Sequence, residues 1–133
     1  ALSDNLSKGV LTAKQREIVA LSLAQANSCH YCLSAHTLMG KGAGLSPEGI
    51  RAARQGKAED VTDNALAVLA RRLLETRGQL NDADLADARS AGLDDQRIVE
   101  VVGNVAINVL TNFMNNVAHT QIDFPKVEAT IAD

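Results

Sequence analysis

Aromatic residues are nearly missing from this chain. Of 133 residues only Tyr31, Phe113 and Phe124 carry aromatic rings, 2% of the whole, and tryptophan is absent. The core must therefore be built from Leu, Val, Ile and Ala, which suits closely packed helices better than a β-sandwich. An excess of positive charge is missing too. Asp and Glu number 16 against 13 Lys and Arg, for a net charge of -3 and a pI near 5.6. The basic residues are scattered apart from the Arg71-Arg72 pair, so no nucleic-acid partner is expected. No apolar run approaches the roughly 20 residues of a membrane span, and no membrane partner is expected. The start, Ala1-Leu2-Ser3-Asp4, carries neither an initiating Met nor the basic and apolar stretches of a signal peptide. A cytoplasmic location is the expectation. Two cysteines are too few to staple a secreted domain of this size, and in a reducing compartment a close pair points to redox chemistry or metal binding.

What is present reads as one all-α domain over residues 1–133, with 46% hydrophobic and 22% charged residues. Thr12 and Gln15 form a capping box, ahead of an amphipathic helix running to about Gln25. Asn27 and Ser28 interrupt it and open a second helix from near Cys29 to Met39, stopped by Gly40, Gly42 and Gly44. Ser46-Pro47-Glu48 opens a third. Thr62-Asp63-Asn64 starts a fourth, with Leu66, Leu69 and Leu73 on one stripe and Gly78 as its stop. Asn81-Asp82 begins a fifth, closing at Gly92. Asp94 or Asp95 caps the last long helix, Arg97 to about Ala118, whose Ile98, Val101, Val102, Val105, Val109 and Phe113 are expected to face inward. That makes about six helices, with the thiol pair at the N-terminus of the second and an irregular tail from Gln121.

The chemistry is concentrated in Cys29-His30-Tyr31-Cys32 and His36. With Cys29 at a helix start, Cys32 follows one turn later on nearly the same face, close enough to close a disulfide. Unpaired N–H groups at a helix start favour thiolate over thiol, which a reactive cysteine needs. His36 lies four residues beyond Cys32, where an imidazole could take its proton. Glu17 arrives from the preceding helix and could orient His36. Each residue alone has a plainer reading: cysteines as small core residues, His36 as a surface or core side chain, Glu17 as a solvated one. Structural zinc is a further alternative, but no second Cys-x-x-Cys or distant histidine cluster completes a tetrahedral set. A helical adaptor with incidental thiols is another.

Taken together, Glu17, Cys29-x-x-Cys32 and His36 match the core motif of the AhpD-like alkylhydroperoxidases, within the wider carboxymuconolactone decarboxylase family. The flanks Arg16-Glu17 and Asn27-x-Cys29-x-Tyr31-Cys32 resemble that family as well. So do the stretch from Asn108 to Asn116 and Asp123-Phe124-Pro125, which look like the last helix and tail of small peroxidase-related members. The resemblance implies an AhpD-like helical bundle and a thiol peroxidase. Cys32 would be the peroxidatic thiol and Cys29 the resolving one, with His36 deprotonating Cys32 and Glu17 completing the relay. The substrate would be a hydroperoxide and the reductant a lipoylated or thioredoxin-like dithiol protein. No flavin, haem or metal is required. A general thiol–disulfide oxidoreductase is the nearest alternative, followed by a lactone decarboxylase, whose chemistry needs no Cys pair. One position departs from the pattern: the alkylhydroperoxidase proper has a second relay histidine where this chain has Tyr31, and His30, one position earlier, is expected to face solvent.

Asn104, Asn108, Asn112 and Asn116 recur every four residues along the last helix. They read either as a solvated edge or as amides bonding across a subunit interface. Ala- and Val-rich helical faces and the family resemblance both imply a homo-oligomer, a dimer, trimer or hexamer. The tail around Phe124-Pro125 is a candidate arm onto a neighbour.

Overall fold

The structure is a computed structural model and describes residues 1–130. Seven helices follow in order: α1 (Leu2–Ser7), α2 (Ala13–Ala26), α3 (His30–Gly42), α4 (Pro47–Arg54), α5 (Val61–Thr76), α6 (Asp82–Ser90) and α7 (Asp95–Ala118). No strand occurs among the described residues. Helix α1, which buries no residue, adds one to the six expected, so the thiol pair opens the third helix.

Most helix starts obey local side-chain chemistry. Thr12 caps α2 in a capping box with Gln15, and Ser46 caps α4 with Pro47 in its first turn. Asn81 caps α6 in a second box with Asp84, and Asp94 caps α7. Helix α5 begins slightly before the expected Thr62, because Asp60 accepts the Asp63 N–H and caps it. Helix α3 runs through Gly40 and ends at Gly42 with Ala43 as its C-cap, and Gly44 then turns the chain with a φ of 99° that suits a residue without Cβ.

Helix α2 is the central element and packs against α3, α4, α5 and α7. Every residue from Glu17 to Ala24 is buried. The expected amphipathic helix is thus buried on all sides, as a helix surrounded by others must be. It divides the interior into two clusters. One joins Val19 and Leu23 to Leu66, Leu69 and Leu73 of α5; the other joins Ile18 and Leu21 to Cys29, Cys32 and Leu33. The thiol pair therefore sits in a hydrophobic cluster.

Helix α7 overturns the expected inward face. Val101 is buried and Ile98 and Val105 pack on the core, but Val102 and Phe113 are about half exposed. Asn104, Asn108 and Asn112 are buried in their place. Three amides of the row turn into their own chain, so the solvated edge expected for it holds only at Asn116, which is exposed. Two of them bond to a carbonyl of the preceding turn, Asn104 to Glu100 O and Asn108 to Asn104 O, each at 2.8 Å, while Asn112 Oδ1 accepts from Asn27 and its Nδ2 has no partner among the described residues. With the amides turned inward, Leu110, Phe113, Met114 and Val117 are left exposed on the other side. Helix α7 is also long and apolar enough to cross a membrane, with a mean hydropathy of 1.2 over an 18-residue window. Its asparagines interrupt any continuous apolar run, and it passes by length and mean hydropathy alone.

From Gln121 to Thr130 the tail is irregular, as expected, and packs on its own chain, while residues 131–133 lie outside the described residues. Phe124 meets Tyr31 edge-on at 5.3 Å between ring centroids. Val127 N donates to Ser34 Oγ at 2.7 Å, Arg54 donates to Glu128 O, and Gln25 bonds Ala129 O. As far as Thr130, the last described residue, the tail lies across α2, α3 and α4 of its own chain.

Candidate redox site

The site forms where α2 turns into α3. Ser28 takes a positive φ of 51°, which reverses the chain and sets Cys29 as the N-cap of α3. Cys29 Sγ accepts the Cys32 N–H at 3.2 Å, occupying the place a Ser or Asp oxygen would take. The two cysteines are joined as a disulfide, their Cα atoms 5.2 Å apart. Both are buried, Cys32 being 3% exposed. The helix start presents its N–H groups and positive end to this pair, and the apolar wall keeps bulk water away.

Four residues along α3, His36 Nδ1 lies 2.7 Å from Glu17 Oε2 of α2. The two side chains are 19% and 11% exposed. An ionised carboxylate can only accept, so its bond is satisfied by a proton on Nδ1, leaving Nε2 as the basic nitrogen of a neutral ring. Of the four residues singled out from the sequence, the structure pairs Cys29 with Cys32 and Glu17 with His36, and His36 follows Cys32 by one turn of α3. Beside it, Arg16, Glu17, His36, Met39, Asn108 and Thr111 line part of a hollow of about 580 Å³.

His30 is exposed, as expected, and engaged with the tail: its Nδ1 accepts from Ala129 N at 3.2 Å and lies 3.4 Å from Glu128 Oε2. Among the described residues no group of three or more His, Cys, Asp or Glu side chains is gathered to hold a metal ion.

Asn115 is the residue that sequence reasoning missed. Its Nδ2 donates to Thr111 O at 2.8 Å and lies 3.6 Å from Cys32 Sγ. The signal was its spacing: Asn115 is one turn beyond Asn112, which accepts from Asn27 Nδ2 at 2.9 Å and ties α7 to the turn before Cys29.

An all-helical bundle with a disulfide at a helix N-cap and a buried carboxylate–imidazole pair nearby defines a protein of the AhpD type by architecture. The family follows from sequence. The model of the carboxymuconolactone decarboxylase family matches residues 1–76, and the chain belongs to that family. No curated protein matches the chain. Among solved structures it resembles a peroxidase-related protein of Silicibacter sp. TM1040, with TM-score 0.82 and 19% identity over 90% of this chain. It also resembles a peroxidase-related protein of Ralstonia eutropha JMP134, described as an alkylhydroperoxidase AhpD core, with TM-score 0.81 and 24% identity over 92% of this chain. This chain spans 65% and 67% of those two proteins.

Proposed function

We propose that the protein is a thiol peroxidase that reduces a hydroperoxide through a Cys29–Cys32 disulfide. The observation that carries this reading is a buried disulfide at a helix start with a hydrogen-bonded Glu17–His36 pair one turn away. His36 Nε2 takes the Cys32 proton, and Glu17 holds the ring in the tautomer that can do so. The Cys32 thiolate attacks the O–O bond, becoming a sulfenic acid, while the departing alkoxide gains a proton to leave as an alcohol. The Cys29 thiol then displaces water from the sulfenic acid, forming the disulfide. A lipoylated or thioredoxin-like dithiol protein returns both cysteines to thiols and is itself oxidised to a disulfide. No step requires a metal or an organic cofactor. The cycle suits the reducing cytoplasm, where such dithiols are maintained.

One observation favours a second reading. Cys29 Sγ accepts the Cys32 N–H, a contact that would stabilise the thiolate a general thiol–disulfide oxidoreductase uses, once local opening exposes this fully buried sulfur. Lactone decarboxylation, the activity in the family's name, makes no use of the paired thiols.

The exposed side of α7 supports a homo-oligomer, since Leu110, Phe113, Met114 and Val117 are each more than half exposed.

The test is to add tert-butyl hydroperoxide to the reduced protein and follow its two thiols by mass spectrometry. Disulfide formation within seconds supports the peroxidase. Thiols that resist peroxide but exchange rapidly with a disulfide substrate overturn it in favour of the oxidoreductase.

A further inference from the structure

We propose that Asn115 is a further catalytic residue of this site, a hydrogen-bond donor to the sulfur of Cys32 that stabilises its thiolate. The inference rests on Cys32 being the reactive thiol of the proposed cycle.

The geometry is specific. Asn115 lies in the penultimate turn of α7, half-buried, and its Nδ2 is 3.6 Å from Cys32 Sγ, within reach of a hydrogen bond to sulfur. The same nitrogen donates to Thr111 O at 2.8 Å. An amide nitrogen carries two hydrogens. With one committed to a carbonyl of the preceding turn, the other is directed at the sulfur. The backbone on both sides is fixed as well: Asn112 accepts from Asn27, and Asn116 Nδ2 donates to Asn27 O at 2.9 Å. These bonds hold this part of α7 against the turn that carries Cys29, so the donor meets the sulfur without a search.

Cys32 gains most from such a donor. It is 3% exposed within an apolar cluster, where little water is available to solvate a thiolate and an unpaired charge is costly. The backbone N–H of the helix start is taken by Cys29 Sγ. Asn115 and His36 together give Cys32 what the helix start gives Cys29. The donor acts at two points. It stabilises the thiolate that attacks peroxide, and it stabilises Cys32 again as the leaving thiolate when a dithiol attacks Cys29 to reopen the disulfide.

The test is the pH dependence of Cys32 alkylation by iodoacetamide in the Cys29→Ser background, where Cys32 is the sole cysteine and no peroxide is needed. The ionisable groups nearby are His36 on α3, Glu17 on α2, and His30, Tyr31, His119 and Lys126 around the hollow that Asn115 lines. All are common to both proteins compared, so the difference isolates the amide. Asn115→Ala retains helix propensity and is expected to move the midpoint up by about one pH unit, the equivalent of a lost hydrogen bond to a charged group. Asn115→Asp, which places an acceptor and a negative charge there, is expected to move it further. An unchanged midpoint in Asn115→Ala overturns the proposal, whatever the Asp variant does. Alkylation is indifferent to peroxide, so a raised midpoint in a protein inert to peroxide would sustain Asn115 as the thiolate donor while removing the peroxidase reading.

Discussion

Replacing Glu17 by Gln removes a charge from the site and almost nothing else. The side chain keeps its length and an oxygen that can accept from His36 Nδ1, so the fold of α2 should survive. What is lost is the charge assistance in a 2.7 Å bond between side chains that are 11% and 19% exposed. Hydrogen bonds to charged groups contribute about 1.5–3 kcal/mol and neutral ones about 0.5–1.5. The difference, about 1–2 kcal/mol, corresponds to a slowing of about 5- to 30-fold if it is expressed in the transition state. Glu17→Ala removes the acceptor too and should approach a slowing of about 150-fold. Rapid-quench measurement of disulfide formation after mixing reduced protein with tert-butyl hydroperoxide reads this rate directly. Rates for both variants within about twofold of the parent, while Cys32→Ser is inactive, would refute the role given to Glu17.

Two further perturbations address the scaffold. The Arg72 guanidinium beside Asp84, helped by the Asn81 N–H, holds the Asp84 carboxyl below its ordinary value of 3.8. A carboxyl depressed on folding contributes stability above that ordinary value and loses it as pH falls through the lower folded one. Urea unfolding should therefore show Asp84→Asn less stable than the parent at neutral pH, with the gap closing as pH falls below the ordinary carboxylate value; a gap constant with pH would refute the ion pair. For the proposed homo-oligomer, replacing Leu110 and Phe113 of α7 together by Asp should reduce the mass in sedimentation to the 14.1 kDa of a single chain. An unchanged oligomer would exclude this face as the interface.

The helix starts could be read from sequence because they depend on residues three apart: Thr12 with Gln15, Asn81 with Asp84, Ser46 with the Gly49 N–H. The thiol pair was legible for the same reason. Helix α1 was not, since it buries no side chain and so leaves no periodic trace. The orientation of α7 was misread because a row of valines suggests an inward face, whereas an asparagine can satisfy its amide on a carbonyl of the preceding turn and be buried. Its three buried amides displace the apolar face outward, and nothing in the periodicity of one chain distinguishes the two arrangements. The Glu17–His36 bond depends on how α2 packs against α3, so the motif's family resemblance predicted it where spacing alone could not. The tail's contacts within the chain were not legible because its partners, Tyr31, Ser34 and Arg54, lie 70 to 100 residues away.

The most direct test of the account is to identify which sulfur peroxide oxidises. Reduced Cys29→Ser treated with an equivalent of tert-butyl hydroperoxide in the presence of dimedone should carry the adduct on Cys32, and the Cys32→Ser protein should carry none on Cys29. An adduct on Cys29 alone, or unmodified thiols in both variants, would contradict the assignment of Cys32 as the thiol that attacks peroxide.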